Sequence, residues 1–273
     1  MTDWTASRPE PFRPGLLGWL RAGLRGLALV VLVYGAFLCL LAVRLVEWPL
    51  FRRDRPWSPK ITRLTCRAAL AVIGLGYALR GRPMVEKGAL VANHSSWLDI
   101  LALNAGQEVY FVSKSEVARW PGIGLLARAT GTVFIARKGV EAKRQQGVFE
   151  DRLRAGHRLC FFPEGTSTDS IRVLPFKSTL FQAFFTHGLD RVLHLQPVTV
   201  VYHAPAGEDP RFYGWWANMT FFSHLLRMLA APRHGRVEVI CHPPVPVDAF
   251  ESRKALAHYC EQVVRTAHVN AVM

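Results

Sequence analysis

The chain has 273 residues, with 34 Lys and Arg against 20 Asp and Glu, a formal charge of +14, a 50% hydrophobic fraction and eight Trp. That length holds one large domain with its own core, or a domain and an anchor. The positive excess points to an anionic partner, and the apolar bulk weighs against a nucleic-acid module and for acidic lipid or a phosphorylated substrate.

The first element is an uncharged run of eighteen residues, Gly26 to Val43. It meets the lower limit for a membrane-spanning helix; a buried core helix is the alternative. A secretory signal fits badly, because the run begins well inside the chain and no small-residue cleavage site leads into an obviously secreted domain. Arg8, Arg13, Arg21 and Arg25 precede it, and Arg44, Arg52, Arg53, Arg55, Lys60, Arg63 and Arg67 follow. The denser positive side is C-terminal, which puts the main domain in the cytoplasm. Charge on both flanks leaves a second option: the helix dips into one leaflet and pairs with another apolar stretch, Leu64 to Leu79. Residues 1–80 read as an anchor of one or two apolar helices, and residues 81–273 as the main domain.

After Gly81-Arg82-Pro83, short apolar or β-branched runs alternate with longer helical patterns. Strands are expected at Ala89–Ala92, Val109–Val112, Thr132–Ala136, Arg158–Phe162, Leu193–Tyr202 and Arg236–Cys241. Helices are expected at Trp97–Ala105, Ile123–Ala129, Val140–Ala155, Phe176–Thr186, Trp215–Leu229 and Asp248–Ala267. This alternation predicts an α/β fold, a mixed, largely parallel sheet flanked by helices, carried on the N-terminal anchor. The five cysteines contain no Cys-x-x-Cys pair. They read as reduced small hydrophobes and not as a disulfide framework or zinc site, which agrees with a reducing cytoplasm.

Ligands of open α/β sheets gather at the carboxyl ends of strands. Here those ends carry His94, Lys114, Arg137 with Lys138, and Glu164. His94 leaves a strand, Ser95 or Ser96 can cap the helix that follows, and Asp99 falls in its first turns. From the loop, the His94 ring can swing back onto Asp99; such a pair fixes the imidazole tautomer and stabilises the imidazolium. If the substrate brings the hydroxyl, His94 acts as general base on an acceptor alcohol. A His beside a helix-start Asp by chance is the bland alternative. Phe161-Phe162-Pro163-Glu164-Gly165-Thr166 leaves a strand and turns sharply, with Gly165 permitting positive φ. Glu164 is expected to bind an acceptor hydroxyl or orient a basic neighbour, and backbone N–H groups of the turn to hold an oxyanion; an ordinary turn is the alternative. Arg137, with Lys138, ends a strand and suits a phosphate or carboxylate, a solvated pair of charges at a helix start being the alternative. Lys114 and Lys177 have weaker cases, against plain surface roles.

Three lookalikes carry less. Gly122-Ile123-Gly124-Leu125-Leu126-Ala127 has the letters of a dinucleotide fingerprint, but follows Trp120-Pro121 and not a strand. Gly165-Thr166-Ser167-Thr168-Asp169 lacks the second Gly of a nucleophile elbow. The ten histidines show no His-Glu-x-x-His spacing, so no metal is expected. The aromatic stretch from Trp215 to Leu229 fits an interfacial helix or core packing equally.

These motifs resemble the lysophospholipid acyltransferase family, over about Leu90 to Tyr202. Asn93-His94 with Asp99 matches its first block, and the resemblance makes His94 and Asp99 the catalytic pair. Lys114, Pro121-Gly122-Ile123-Gly124 and Val133-Phe134-Ile135-Ala136-Arg137 are similar to the second block, whose Arg is associated with the acceptor head group. Phe162-Pro163-Glu164-Gly165-Thr166 is similar to the third, and Leu195-Gln196-Pro197-Val198 to the fourth. The resemblance implies a membrane-bound O-acyltransferase. His94 takes the proton of a lysolipid hydroxyl, which attacks an acyl thioester on acyl carrier protein or coenzyme A, without metal, cofactor or acyl-enzyme. The substrate-binding set it implies is Arg137, Glu164, Gly165, Thr166, Lys114 and Lys177. The expected partners are the bilayer, the lysolipid acceptor and the acyl donor, with no nucleic acid. The expected place is a bacterial inner membrane, facing the cytoplasm.

One departure matters. Lysophosphatidate-using members often have Arg after Phe-Pro-Glu-Gly-Thr, where this chain has Ser167. That variant looks like a bacterial subgroup that includes lyso-ornithine lipid O-acyltransferases, whose acceptor head group is an amino acid. Lysophosphatidate stays as the alternative, since Arg137, Lys138 and Lys114 can neutralise a phosphate. Two other classes compete: a non-catalytic basic lipid-surface binding module, and a hydrolase using Ser167.

Overall fold

A computed structural model describes residues 12–52, 55–135, 140–186 and 188–272, with the backbone alone described over 140–146. Eight strands form one mixed sheet: β1 (Gly76–Gly81), β2 (Gly88–Ala92), β3 (Tyr110–Lys114), β4 (Val133–Ile135), β5 (Leu159–Phe161), β6 (His194–His203), β7 (Arg236–Cys241) and β8 (Val245–Pro246). The order is β1-β7-β6-β2-β5-β3-β4, with β8 on β6. The run β6-β2-β5-β3-β4 is parallel throughout, while β7 and β8 oppose β6. The ends of β2, β5, β3 and β4 therefore share one edge, as their exit residues predicted.

Helices cover both faces. α2 (Ser58–Ile73), α3 (Leu98–Gly106) and α6 (Phe221–Ala230) enclose one apolar core with residues such as Leu70, Leu103, Val200 and Met228. α5 (Val140–Arg154) and α7 (Arg253–Val272) enclose the other with Phe149, Leu159, Phe181 and Val264. Short α4 (Ile123–Ala129) joins β3 to β4. Burial on both faces explains why β2 is a continuous apolar run and not an alternating one.

α1 (Leu16–Phe51) extends the uncharged run in both directions and forms an outer layer. Its N-terminal turns rest on α6: Arg21 Nε donates to Ala230 O at 3.0 Å, and Arg25 Nη1 to Leu229 O at 3.0 Å and Ala231 O at 2.7 Å. These two arginines, read from the sequence as flank charges, satisfy the last carbonyls of a helix. At the other end Glu47 Oε1 accepts from Trp57 N at 2.7 Å and Ser58 N at 2.9 Å, closing the start of α2. Between these ends, large apolar side chains such as Leu27, Val31, Leu38 and Leu45 stay exposed. Leu16–Phe51 is long and apolar enough to be a membrane anchor.

Four sequence expectations change. The stretch Leu64 to Leu79 is not one helix: α2 stops at Gly74 (φ 91°), Leu75 N bonds Leu70 O at 2.9 Å, and β1 follows, pairing with β7. Residues 76–81 thus belong to the sheet. Over Phe176–Thr186 the chain forms a 3₁₀ helix, Ser178–Phe185, whose three-residue turn buries Phe181 and Phe184 on one side. The predicted helix from Trp215 begins only at Phe221, capped by Thr220 accepting from Ser223 N. The last helix begins at Arg253, not Asp248, after a short 3₁₀ turn at Val247–Ala249.

Strand β2 meets β6 at Gly88, whose φ is 148° and where a Cβ would lie 1.8 Å from His194 O. Gly88→Ala is expected to cost about 3 kcal/mol or more, by combining backbone strain with a broken strand contact; urea unfolding of the two proteins measures it.

Candidate active site

The loop from β2 to α3 carries Asn93, His94, Ser95 and Ser96 over the sheet edge. Asn93 anchors it: its amide nitrogen donates to Val200 O at 2.9 Å and its oxygen accepts from Val200 N at 2.8 Å, so the side chain pairs with β6 like a strand residue. Asp99, in the first turn of α3, is fully buried and faces back into the loop. Its Oδ2 accepts from Ser95 N at 2.7 Å and Ser96 N at 3.0 Å, and Tyr202 OH donates to Oδ1 at 2.7 Å. Ser96 Oγ accepts from Leu98 N at 3.3 Å, as a cap at the start of α3, while the Asp99 carboxylate in turn takes the two serine amides. His94 Nδ1 stands 2.7 Å from the same Oδ2.

These contacts fix a proton. An ionised carboxylate only accepts hydrogen bonds, so the nitrogen facing it must be the donor. In the neutral ring Nδ1 therefore carries the hydrogen and Nε2 keeps its lone pair. Among the described residues Nε2 has no hydrogen-bond partner. Burial, then the charge of Asp99, pushes the Tyr202 phenol well above its ordinary value, which keeps it a neutral donor. The His94 ring is stacked on Phe162, with centroids 4.1 Å apart and planes 13° from parallel.

The second loop, after β5, is braced against the first. Glu164 is 2% exposed; Oε1 accepts from His94 N and Oε2 from Leu174 N, both at 2.7 Å. The expectation that Glu164 binds an acceptor hydroxyl is not met, because both oxygens are taken by backbone amides and solvent is excluded. Thr168 N and Oγ1 both donate to His94 O, at 2.9 and 3.1 Å. Gly165 has φ 73°, and its N–H closes the turn onto Phe162 O at 3.1 Å, so this amide is committed and does not face an oxyanion. A Cβ there would meet Lys177 Nζ at 2.7 Å, which sets the exposed Lys177 ammonium over the turn. Thr166 is exposed and its hydroxyl turns to Ser167 O at 3.4 Å. Ser167 Oγ donates to Trp215 O at 2.6 Å and does not meet His94. Lys114 ends β3 on the same edge; Arg137 and Lys138 lie outside the described residues.

An apolar cavity of about 460 Å³ begins at His94, Trp97 and Phe162 and runs beside β3 under α1, to Leu40, Asn104 and Thr130. Leu29, Val33, Ala36 and Phe37 of α1 form one wall at helical spacing. Trp215 and Trp120 meet edge-on at the His94 end, 6.3 Å between centroids. Trp97 Nε1 donates to His224 Nδ1 at 2.8 Å; burial pulls His224 down to about 4, so the ring is neutral and can accept. Sequence reasoning missed Tyr202, Asn93 as a brace, and His224. For Tyr202 a faint signal existed: a phenol near the end of a long, mostly apolar strand needs a partner when buried.

Comparisons with known proteins point to one family. An acyltransferase family model matches residues 78–201. The chain is 58% identical to the lyso-ornithine lipid O-acyltransferase of Rhodobacter capsulatus over 96% of each chain. It is 38% identical to the 1-acyl-sn-glycerol-3-phosphate acyltransferase of Neisseria meningitidis, over 73% of this chain and 77% of that one. The crystal structure of the 1-acyl-sn-glycerophosphate acyltransferase from Thermotoga maritima has the same fold, with a TM-score of 0.58 at 22% identity over 90% of this chain and 97% of that one.

Burial lifts the Glu164 carboxyl from its ordinary 4.5 to about 8, outweighing the two amides that pull it down. The folded state then binds this proton more tightly than the unfolded chain. The stabilisation is complete below pH 4.5 and fades as pH rises through about 8. Glu164→Gln leaves one amide facing an NH₂ group, costs about 1–3 kcal/mol, and removes this slope. Denaturant unfolding between acidic and alkaline pH reads both effects.

Proposed function

This chain belongs to the acyltransferase family of lysolipid-acylating enzymes, and from that premise we propose that it transfers a fatty acyl group to the hydroxyl of lyso-ornithine lipid. The observation that carries the chemistry is the His94–Asp99 lock at the mouth of an apolar cavity. His94 Nε2 takes the proton of the acceptor hydroxyl, and the alkoxide oxygen attacks the thioester carbonyl of the donor. The new ester bond forms as the carbon–sulfur bond breaks, and His94 returns its proton to the departing thiolate. Asp99 stabilises the intervening imidazolium. The donor is an acyl carrier protein or coenzyme A thioester.

The cavity holds an acyl chain, a role that its size and apolar walls support. For the acceptor, the 58% identity to a lyso-ornithine enzyme favours the amino-acid head group. So does Ser167, which puts a neutral hydroxyl, already bonded to Trp215 O, where lysophosphatidate-using members often have a guanidinium. Lys177, Lys114 and Arg137 are the cations for the acceptor carboxylate. Lysophosphatidate is the second reading, favoured by the 38% identity to the Neisseria enzyme.

α1 is 36 residues long, about 54 Å at helical rise, and both of its ends rest on the α/β layers. A helix held so at both ends does not cross a bilayer away from its domain. It lies along the membrane surface, with its exposed apolar side chains in one leaflet and the site on the cytoplasmic side of the inner membrane.

His94→Ala is expected to lower transfer by about 10²–10⁴-fold while membrane association persists. Membranes given a labelled acyl donor with lyso-ornithine lipid or lysophosphatidate, each alone, test the acceptor. Product from lyso-ornithine lipid is expected; product from lysophosphatidate alone reverses the assignment, and full activity in His94→Ala removes the mechanism.

A further inference from the structure

The corner between α1 and α2 holds a charged cluster that the acyl-transfer chemistry does not use. Arg44 on α1, Arg55 before α2 and Arg152 on α5 gather around Tyr110 at the start of β3. The guanidinium carbons of Arg55 and Arg152 lie 5.8 and 4.4 Å from the Tyr110 ring centroid. A Cβ built on Gly131 would fall 2.5 Å from Arg55 Nη1 and 2.8 Å from Arg152 Nη2, so two cations crowd one point. Arg152 Nη2 donates to Gly131 O at 2.6 Å. Arg44 Nε, Arg55 Nη1 and Arg152 Nε are buried without a hydrogen-bond partner among the described residues.

Among the described residues, Glu47 and Glu108 are the carboxylates that act on Arg44 and Tyr110. Glu47, close to Arg44, commits Oε1 to the start of α2, and Glu108 lies toward Tyr110. Neither forms an ion pair with the three arginines among the described residues. Burial, with Arg55 and Arg44 beside it, pulls Arg152 down to about 10. Clustered like charges with unmet buried donors are costly unless an anion joins them.

The recess beside the cluster, lined by Leu40, Arg44, Ser58, Asn104 and Tyr110 among others, has a volume of about 10 Å³. That is room for about one water and for no phosphate group, so an anion meets the three half-buried guanidinium groups from the solvent side. Around it Trp48 (72%), Phe51 (39%) and Trp57 (42%) are exposed, the residue types that settle at the head-group level of a bilayer. We propose that this corner binds the phosphodiester of an anionic membrane lipid, with Arg44, Arg55 and Arg152 donating to its oxygens and the three aromatics set in the head-group layer. Guanidinium forks match phosphate oxygens in pairs. The site rests on the membrane-surface reading above, and not on the identity of the acceptor.

The test uses the full chain in neutral detergent, titrated with phosphatidylglycerol, phosphatidylcholine or inorganic phosphate. Lipid retained after gel filtration and the thermal midpoint are measured for wild type, Arg55→Gln, Arg152→Gln and Arg152→Lys. Wild type is expected to retain phosphatidylglycerol about tenfold more tightly than phosphatidylcholine, and either Gln variant to lose most of that preference. Arg152→Lys, which keeps the charge and the stem, covers the case in which Arg152→Gln fails to fold, and is expected to weaken the preference partly. Acyl transfer to detergent-dispersed acceptor is expected to stay within about twofold, since none of these side chains touches the His94 site. A preference unchanged in the variants overturns the site. So does inorganic phosphate raising the midpoint as much as phosphatidylglycerol, which assigns a soluble anion instead. Wild type retaining neither lipid sinks the membrane reading and this site together, whereas His94→Ala with full transfer and intact lipid preference sinks only the mechanism.

Discussion

A single buried carboxylate organises the site. Asp99 receives two backbone amides, a phenol and an imidazole, and is shut off from solvent. A carboxylate in such a place is tolerable only because every donor is in position. That saturation decides which nitrogen of His94 holds a hydrogen and which keeps its lone pair. The tautomer of the neutral ring follows from the acceptor-only character of Asp99, and the proposed direction of proton transfer follows from that tautomer.

The rest of the polar machinery keeps that arrangement rigid. Asn93 pins the loop to β6, Glu164 holds the His94 amide, and Thr168 holds the His94 carbonyl. Trp215 N bonds both Ser95 O at 2.9 Å and Thr168 O at 3.1 Å, which is why this stretch stays out of the helix that follows. Glu164-Gly165 thus serves the site by bracing, with Glu164 locked between two loops and Gly165 making room for Lys177. Preorganisation of this kind lets an imidazole act without moving its supports when charge develops.

A polar core of a few groups opens directly onto grease. The wall supplied by α1 belongs to the same helix whose other side carries exposed Leu and Val, so one element both closes the apolar cavity and offers an apolar surface outward. Its two ends are tied by polar contacts, Arg21 and Arg25 to α6 and Glu47 to α2. The proposed function uses this continuity, with an acyl chain passing between bilayer and site along the apolar wall of α1. The arginine corner sits where that helix turns back, beside the same cavity end marked by Leu40, Asn104 and Thr130.

Local pattern sufficed for much of this. The strand–turn–helix around His94, the turn at Gly165, the alternation that makes an α/β sheet and the uncharged run of α1 are all written in neighbouring residues, because hydropathy period and turn chemistry act over a few positions. Strand β1 was hidden, since Gly76–Gly81 becomes a strand only by pairing with β7, far along the chain. The Ser178–Phe185 turn became 3₁₀ because two rings had to reach one core. Tyr202 on Asp99, Glu164 on His94 N and the three arginines around Tyr110 likewise join residues distant in sequence. The chemical groups available and the loops that present them are written along the chain. Which hydrogen bonds each group accepts is set by the folded arrangement, because burial removes water as a partner and leaves that choice to whatever the fold brings near.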